Sequence, residues 1–309
     1  MKVVLLSCEL YLPAPGDHPG HADPLVHMLT GQIHEEDRLL EDALKPYGVS
    51  CERVAWSDAD YDWASADLVV FRTPWDYMNR YPEFSAWLEE VTPLTQFLNP
   101  LETIHWNLDK HYLQDLEKSG IRIVPTLFAE KNASLKLEDW HQQAGWTHTV
   151  LKPSVSAGGR HTYRLNPGNR AEHEAIFQEL LAEESWMLQP FLNSVVDHGE
   201  WSAMVFNGQF SHAVLKNAKP GDFRVQDDFG GTVKKVEASA ELREFAEAAA
   251  RVVSPVPAYA RVDVVLLDDS SLAISELELF EPELWMRFEP SSAKILAEAV
   301  QQALTTTAP

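Results

Sequence analysis

The chain has 309 residues, of which 45% are hydrophobic and 10% aromatic, enough to build buried cores and to exclude a wholly disordered chain. Its net charge of −22 comes from 25 Lys and Arg against 47 Asp and Glu. Because so acidic a surface repels nucleic-acid backbones and anionic membranes, we expect neither as a partner. Cys8 and Cys51 are too few for a disulfide scaffold, and no apolar run suits a membrane span or a secretion signal. We expect a reduced, cytoplasmic protein of about two domains.

The first hundred residues alternate between predicted strands and helices. Apolar runs predict strands buried on both faces at 2–8, 50–55 and 67–72, and helical spacing predicts helices at 35–48 and 83–91. A segment rich in Pro, Gly and His separates the first strand from the first helix at 12–24. This alternation predicts a doubly wound parallel α/β domain.

The pattern changes after about residue 100. A helix is predicted from Asn107 to Gly120 and a strand at 124–128, and from 146 onward the strands are longer and pair in an antiparallel manner. The Asn207-Gly208 pair predicts a hairpin turn. Ala-rich amphipathic helices are predicted at 238–253 and 291–304. We therefore expect an α/β domain followed by a larger α+β region.

Two predicted strands, 258–267 and 272–280, place carboxylates on one face of a hairpin. A symmetric turn at Asp269-Ser270 pairs Asp263 with Glu276, and Arg261 with Glu278. The core-facing side would consist of Val262, Val264, Leu266, Ala273, Leu277 and Leu279. Because like charges opposite each other destabilise a sheet, the carboxylates require a cation, and oxygen ligands favour Mg²⁺ held with a substrate phosphate. The alternative is a solvated polar face with an Arg261–Glu278 ion pair.

Three basic residues stand where an anion could bind. Lys152 ends a predicted strand and precedes a loop of small residues at 153–160, whose backbone N–H groups could wrap an anion; the alternative is a plain turn. Lys110 is predicted near a helix start and could equally be a surface lysine. Arg224 lies in a loop shortly before Gly230-Gly231, which suits a triphosphate or an oxyanion, or else a surface ion pair.

Together and in this order, these segments resemble the ATP-grasp superfamily, in the branch of prokaryotic glutathione synthetase and ribosomal-protein glutamate ligases. The matching motifs are N-x-x-K at Lys110, K-P and a small-residue loop at Lys152, Q-P-F-L at 189–192, R-x-Q-x-x-x-G-G at 224–231, and D-x(12)-E-x-E at 263–278. FRTPWDY (71–77) and ELELFEPELW (276–285) resemble the branch that includes the ATP-dependent cyclo-ligase of cycloserine biosynthesis, which closes O-ureido-serine into a ring.

The resemblance implies a fold and a set of domains. A pre-ATP-grasp, Rossmann-like α/β domain would span residues 1–100 and carry the substrate. Two α+β subdomains of an ATP-grasp fold would clamp the nucleotide, the first with the phosphate loop at 101–184 and the second with the metal-binding strands at 185–309. ATP and Mg²⁺, with Mn²⁺ as a substitute, are the cofactors that it implies.

The resemblance also implies roles for individual residues. Lys110 and Lys152 would hold the α- and β-phosphates, and the loop with Ser154, Ser156, Gly158 and Gly159 would close over the γ-phosphate. Adenine would bind the backbone of Gln189, Pro190, Phe191 and Leu192, and the ribose would bind Glu200. Asp263, Glu276 and Glu278 would hold metal, and Arg224 would steady the transferred phosphoryl group. Gln226, Gly230 and Gly231 would adjoin the substrate. Glu278 and Gln226 each replace the usual Asn.

The first domain is expected to select the substrate. Ligands of open α/β sheets bind beyond the carboxyl ends of the strands, which points to residues 10–24 and to the turn after the third predicted strand. Arg72 is a candidate clamp for a carboxylate and Asp76 a candidate partner for an amine, and for each the alternative is a buried structural ion pair. His18, His21, His27 and His34 lie in a predicted loop and fit no common zinc spacing. Cys8 is expected to be a buried apolar residue.

The implied function is an ATP- and Mg²⁺-dependent ligase for small amino-acid-like substrates. It would activate a carboxylate as an acyl phosphate, which an amine then attacks with release of phosphate, within one molecule or between two. The alternatives are a nucleotide-binding module without turnover and a kinase that releases a phosphorylated product. A homo-oligomer is compatible with these features.

Overall fold

The computed structural model describes residues 1–13, 23–156, 158–219, 221, 224–225 and 230–306. Its strands are β1 (Lys2–Ser7), β2 (Ser50–Ala55), β3 (Leu68–Thr73), β4 (Phe97–Leu98), β5 (Leu127–Ala129), β6 (Thr149–Pro153), β7 (Tyr163–Leu165), β8 (Trp186–Pro190), β9 (Glu200–Phe206), β10 (Gln209–Asn217), β11 (Thr232–Val236), β12 (Tyr259–Leu266) and β13 (Leu272–Glu278). Its helices are α1 (Pro24–Leu44), α2 (Tyr81–Val91), α3 (Leu101–Leu108), α4 (Tyr112–Lys118), α5 (Leu137–Ala144), α6 (Arg170–Leu181), α7 (Asn193–His198), α8 (Ala240–Val252) and α9 (Ser292–Thr306).

The first sheet is parallel, as predicted, with the strand order β2-β1-β3-β4. The side chains of β1 from Val3 to Leu6 are completely buried. Burial on both faces explains the continuous apolar run, since helices cover both sides of such a sheet. Cys8, just after β1, is also buried, as expected.

Helix α1 begins eleven residues earlier than the predicted helix at 35–48. The Asp23 carboxylate caps it by accepting a hydrogen bond from Leu25 N at 2.8 Å, and Pro24 suits the first helical position. The Pro-rich pattern concealed this start. His27 and His34 therefore lie on a helix and not in a loop, while His18 and His21 lie outside the described residues.

The predicted helix from Asn107 to Gly120 is wrong, because the chain breaks between α3 and α4 at residues 109–111. Asn107 is not a helix cap. Its side-chain amide donates to the Leu277 carbonyl and accepts from Leu279 N, each at 2.7 Å, so it ties α3 to β13. The break leaves Lys110 between two helices instead of at the start of one.

The second sheet is antiparallel and has the strand order β5-β8-β6-β7. Its strand β8 follows residue 184, the predicted boundary between the two ATP-grasp subdomains. Because β8 pairs with both β5 and β6, that boundary would cut this sheet.

The third sheet is also antiparallel, with the strand order β11-β10-β9-β12-β13. The Asn207-Gly208 hairpin joins β9 to β10 as predicted, and both residues have positive φ angles, of 49° and 72°. Helix α8 packs on one face through Ala246, Ala249 and Ala250. Helix α9 shares a core with residues of β1, β3 and β9, so the first and third sheets pack against a common helix. None of the helices in the described ranges is long and apolar enough to cross a bilayer.

Candidate active site

A cavity of about 430 Å³ is lined by residues from the first hundred residues and from the regions of the second and third sheets. Strands β6, β8, β10, β12 and β13 contribute most of its polar lining, and the first hundred residues contribute Tyr11, Leu29, Trp75 and Met78. This volume lies within the range of sites for small molecules and cofactors.

The hairpin β12–β13 has the register predicted at its charged end. Asp263 faces Glu276, and Arg261 faces Glu278. A bulge at Ser275 then shifts the register, so that Val264 faces Ile274. As a result Ala273 packs with Val265 on the opposite face from Leu277, and its predicted place on the core-facing side with Leu277 is wrong.

Asp263, Glu276 and Glu278 converge at this end of the hairpin. Each offers a carboxylate oxygen, and these oxygens lie within 4.8 Å of one another. Asp263 is buried, and the other two are partly buried on the cavity wall. An all-oxygen set of three carboxylates fits Mg²⁺ or Mn²⁺ better than a soft metal.

Basic side chains of the chain itself also contact these carboxylates. Arg261 donates to both oxygens of Asp263, at 3.0–3.1 Å, and to Glu278. The alternative drawn from the sequence, an Arg261–Glu278 ion pair, is therefore present together with the carboxylate cluster. It reduces the repulsion that three neighbouring carboxylates would otherwise produce.

Lys216 of β10 is a buried lysine that the sequence analysis missed. Its ammonium pairs with Glu200 and, at 3.2 Å, with Asp263, and it lines the cavity. A bulge in β10 at Ser211 sets Lys216 opposite Glu200, whereas regular pairing from the Asn207-Gly208 turn would place it opposite Gly199. The alternation of residues along the predicted strand before Lys216 could have indicated which face its side chain occupies. The bulge at Ser211 made its pairing with Glu200 unpredictable.

The charges around the cluster shift the pKa values of its members in opposite directions. Burial alone would raise the pKa of Asp263, but Arg261 and Lys216 outweigh it and hold that pKa below its usual value. Lys110 and Lys152 likewise outweigh burial at Glu276 and lower its pKa. At Glu278, burial raises the pKa well above its usual value despite Arg261.

Lys110 and Lys152 both reach the cavity from the middle of the chain. The ammonium of Lys110 pairs with Glu276 at 2.9 Å and donates to the carbonyl of Ser156. The ammonium of Lys152 has no hydrogen bond or ion pair to any described residue, and burial lowers its pKa. The structure thus brings both predicted lysines to the carboxylate cluster.

The small-residue loop after Lys152 also adjoins the cavity, through Ser156, Gly158 and Gly159. Both glycines have positive φ angles, of 57° and 70°, which glycine adopts without strain. Ser154 does not line the cavity. Its carbonyl accepts from Lys110 N and its N–H donates to Ser185, each at 2.9 Å, so it anchors the start of the loop.

The segment predicted to bind adenine also contributes to the cavity. Gln189, Pro190, Phe191 and Leu192 all line the cavity at the end of β8. The side chain of Gln189 donates to Thr126 at 2.9 Å, which fixes it. Glu200, predicted for the ribose, also lines the cavity, where Ser275 donates to it at 3.1 Å.

Arg224 and Val225 line the cavity as well. Gly230 and Gly231, predicted beside the substrate, are not among the lining residues, and Gly230 lies near the side chain of Lys219. Gln226 lies outside the described residues.

The two substrate residues predicted in the first domain do not line the cavity. Arg72 is buried and pairs with Asp37 at 2.9 Å and with Glu36 at 3.4 Å. Asp76 accepts from Trp56 Nε1 at 2.6 Å and lies 3.4 Å from Arg80. Arg72 thus lies in a buried ion pair, the alternative considered for it, whereas the ion pair of Asp76 with Arg80 is partly exposed. The structure places neither of the two predicted substrate residues on the cavity.

Sequence comparisons match two families in series along the chain. Residues 3–99 match the N-terminal domain of D-cycloserine synthetase DcsG, and residues 113–265 match the ATP-grasp domain of prokaryotic glutathione synthetase. The cycloserine biosynthesis protein DcsG of Streptomyces lavendulae is 31% identical over 280 residues, which cover 86% of this chain and 92% of that protein. The chain belongs to the DcsG family of ATP-grasp ligases.

Solved structures agree with this assignment. The crystal structure of D-cycloserine synthetase DcsG has a TM-score of 0.85 at 28% identity and covers 99% of this chain and 100% of its own. A D-alanine–D-alanine ligase from Bacillus anthracis in complex with ATP shares the fold, with a TM-score of 0.65 at 11% identity and coverage of 99% and 98%. The predicted ATP-grasp fold, with a further domain before it, is confirmed.

The cavity of this ATP-grasp ligase also contains residues that the sequence analysis did not single out. Glu281, Glu283 and Trp285 follow β13 and line the cavity; Glu281 contacts Trp75 through its backbone carbonyl, and Trp285 lies beside Lys216 and Arg261. Burial raises the pKa of Glu281 to about 7. These residues belong to the run E-P-E-L-W at 281–285, which follows the end of β13. Because this run is not part of a strand, strand pairing could not predict the direction of its side chains.

Proposed function

We propose that this ATP-dependent carboxylate–amine ligase activates a small amino-acid-like carboxylate as an acyl phosphate and joins it to an amine, releasing ADP and phosphate. The observation that carries the proposal is the convergence of Asp263, Glu276 and Glu278 on the wall of a cavity that Lys110 and Lys152 also reach. The membership of the chain in the DcsG family of ATP-grasp ligases supports ATP-dependent ligation as the class of reaction.

The nucleotide would lie between the second and third sheets. Lys110 and Lys152 would bind the α- and β-phosphates, the backbone from Gln189 to Leu192 would bind adenine, and Glu200 would bind the ribose. Asp263, Glu276 and Glu278 would hold Mg²⁺, which supplies positive charge to the phosphates during transfer. This arrangement is supported by the shared cavity and by the all-oxygen chemistry of the three carboxylates.

The side chains have three tasks in the proposed reaction. Lys152 and Arg224 would neutralise the γ-phosphoryl group while the substrate carboxylate attacks it and ADP leaves. Arg261, on the cavity wall beside the carboxylates, would face the acyl phosphate as the amine attacks its carbonyl carbon and phosphate leaves. The loop from Ser156 to Gly159 would exclude water, which would otherwise hydrolyse the acyl phosphate.

The intramolecular form of this reaction is the specific proposal. The match to the N-terminal domain of DcsG covers residues 3–99, and this part of the chain contributes Tyr11, Leu29, Trp75 and Met78 to the cavity lining. We propose that the substrate resembles O-ureido-serine, in which the activated carboxylate and the attacking nitrogen belong to one molecule.

The test is to incubate the protein with ATP and Mg²⁺, with O-ureido-serine and with a panel of amino acids, and to measure ADP, phosphate and the organic product. We expect ADP and phosphate in equal amounts, dependent on substrate and metal, together with a cyclic amide from O-ureido-serine. ADP without phosphate would indicate a kinase, and nucleotide binding without ADP formation would indicate a binding module. Either outcome would overturn the proposal.

A further inference from the structure

The carboxyl group of Glu281 is a buried ionisable group that lines the cavity, and it has no role in the proposed nucleotide and metal sites. The residue is only 6% exposed. The nearby Tyr77 hydroxyl stabilises its ionised form and lowers its pKa, and its backbone carbonyl accepts from Trp75 Nε1 at 3.0 Å. No lysine, arginine or histidine in the described part of the chain forms an ion pair with it. Because an unpaired buried carboxylate is costly, its position indicates a ligand that supplies the positive charge.

Lys110 is the cation that could otherwise have neutralised Glu281. Its ammonium is already held by Glu276 at 2.9 Å and by the Ser156 carbonyl. Its attraction does lower the pKa of Glu281, but burial outweighs it. Lys110 is thus already paired with Glu276, one of the proposed metal ligands.

The surroundings of Glu281 suit an organic cation. Glu283 lines the same wall, where Arg287 holds it at 2.6 Å. Tyr11 and Trp75 meet edge to face, with ring centroids 5.4 Å apart, and both rings line the cavity. Aromatic faces beside carboxylates attract ammonium groups. Among the described residues of the first hundred, the cavity lining contains no charged side chain.

We propose that Glu281 binds the positively charged amino group of the small substrate, with Glu283 and the rings of Tyr11 and Trp75 completing its pocket. This inference rests on the proposed function and adds the residue that selects an amino-bearing substrate. The carboxyl group of the same molecule would then face the phosphates, held by Lys152 and Arg224, which line the same cavity.

Binding of the amino group and ionisation of Glu281 would support each other. The empty site favours the neutral acid, since burial raises the pKa of Glu281 to about 7. A neighbouring ammonium group favours the carboxylate and lowers that pKa again. An uncharged substrate gains nothing from this contact.

The test compares O-ureido-serine with its deamino analogue, which keeps the carboxyl and ureidooxy groups and replaces only the amino group by hydrogen. In the wild-type protein we expect kcat/KM for ADP release to be more than about tenfold lower with the analogue. Glu281→Gln should raise KM for O-ureido-serine by a similar factor and leave KM for ATP and the rate with the analogue nearly unchanged, so that the preference disappears. Glu281→Asp, which keeps the charge, should retain part of it.

Glu289→Gln is the matched control, because it makes the same change in the same segment at a carboxylate that pairs with Lys235 and does not line the cavity. It should keep the full preference. If Glu281→Gln keeps the preference, or slows both substrates equally, the inference is wrong and the ligase function stands. If the wild-type protein releases ADP with another amino acid of the panel, the same comparison is made with that amino acid and its deamino analogue in place of O-ureido-serine and its analogue. Absence of ADP release with every compound would overturn both proposals.

Discussion

Lys152 is the lysine of the cavity whose ammonium has no carboxylate partner among the described residues. Lys110 pairs with Glu276, and Lys216 pairs with Glu200 and Asp263. Burial lowers the pKa of Lys152, which shows that its charged form lacks full compensation from the protein. A phosphate group of a nucleotide would supply that compensation.

We expect Lys152→Ala to weaken binding of the Mg²⁺–ADP complex roughly 10- to 100-fold, as for loss of one hydrogen bond to a charged group. The melting temperature without nucleotide should change little, because the lost partner is a ligand and not a protein group. Titration calorimetry and thermal unfolding measure the two effects. Lys131→Ala, at an exposed lysine, serves as the control. Unchanged nucleotide affinity would remove Lys152 from the site.

The contacts of Arg261 show that a metal site and an ion pair are compatible at the same carboxylates. The sequence left open a metal site or an Arg261–Glu278 ion pair, and the structure contains both the ion pair and the convergent carboxylates. Arg261 contacts both oxygens of Asp263 and one oxygen of Glu278. Because each carboxylate oxygen has two lone pairs, an oxygen that accepts from Arg261 can still offer a lone pair to a metal.

At the scale of elements, bulges decided which sequence-based pairings were right. The turn of the β12–β13 hairpin is one residue shorter than the symmetric turn assumed for it, and the bulge at Ser275 restores the register before Glu276. The site pairing was thus predictable, while the position of Ala273 was not. The bulge at Ser211 hid Lys216 in the same way. A period of two predicts strand faces only up to the first bulge.

The helices show a similar limit. The alternation of strands and helices was predictable because burial on both faces leaves continuous apolar runs. The break between helices around Lys110 was not predictable from local sequence. It depends on the side chain of Asn107, which donates a hydrogen bond to the backbone of β13, a strand 170 residues away in the chain. The first half of α1 was also missed, since Pro24 starts a helix within a segment that reads as a loop.

Arg72 belongs to a buried ion-pair network that joins β3 to α1 and to the segment after β13. It contacts Asp37 and Glu36, and Glu36 also pairs with Arg287. Removal of one member of a buried ion pair leaves its partner uncompensated.

We expect Arg72→Met to lower the free energy of unfolding by about 3 kcal/mol or more, measured by denaturant titration. KM for the small substrate should change less than twofold at a temperature where the variant is folded, because Arg72 does not line the cavity. Arg38→Met, at an exposed arginine of α1, is the control and should change neither quantity. A large rise in KM at unchanged stability would restore Arg72 as a substrate clamp.

At the scale of the whole molecule, the cavity depends on contacts that local sequence patterns do not encode. Trp75 lies in the first domain, and its indole donates to the carbonyl of Glu281, 206 residues later. Motif order along the chain predicted most of the residues that share the cavity with Lys152. The matching segments on the substrate side, 71–77 and 276–285, did not show which of their side chains reach the cavity. Arg72, which does not line it, was therefore selected, and Glu281, which does, was not.

The three parts of the molecule also divide the work of the proposed reaction. The second and third sheets would hold the nucleotide between them, and the first domain closes the remaining side with Tyr11, Trp75 and Met78. An acyl phosphate formed between them would be shielded from water. The central claim is therefore that the carboxylates of β12 and β13 hold a metal together with a nucleotide.

A crystal structure with ADP and Mn²⁺ tests this claim most directly, because the anomalous signal of manganese locates the metal independently of the protein. The account predicts manganese bound by Asp263, Glu276 and Glu278, with the phosphates of ADP between it and Lys152. Manganese absent from these carboxylates, or ADP bound away from Lys152, would contradict it.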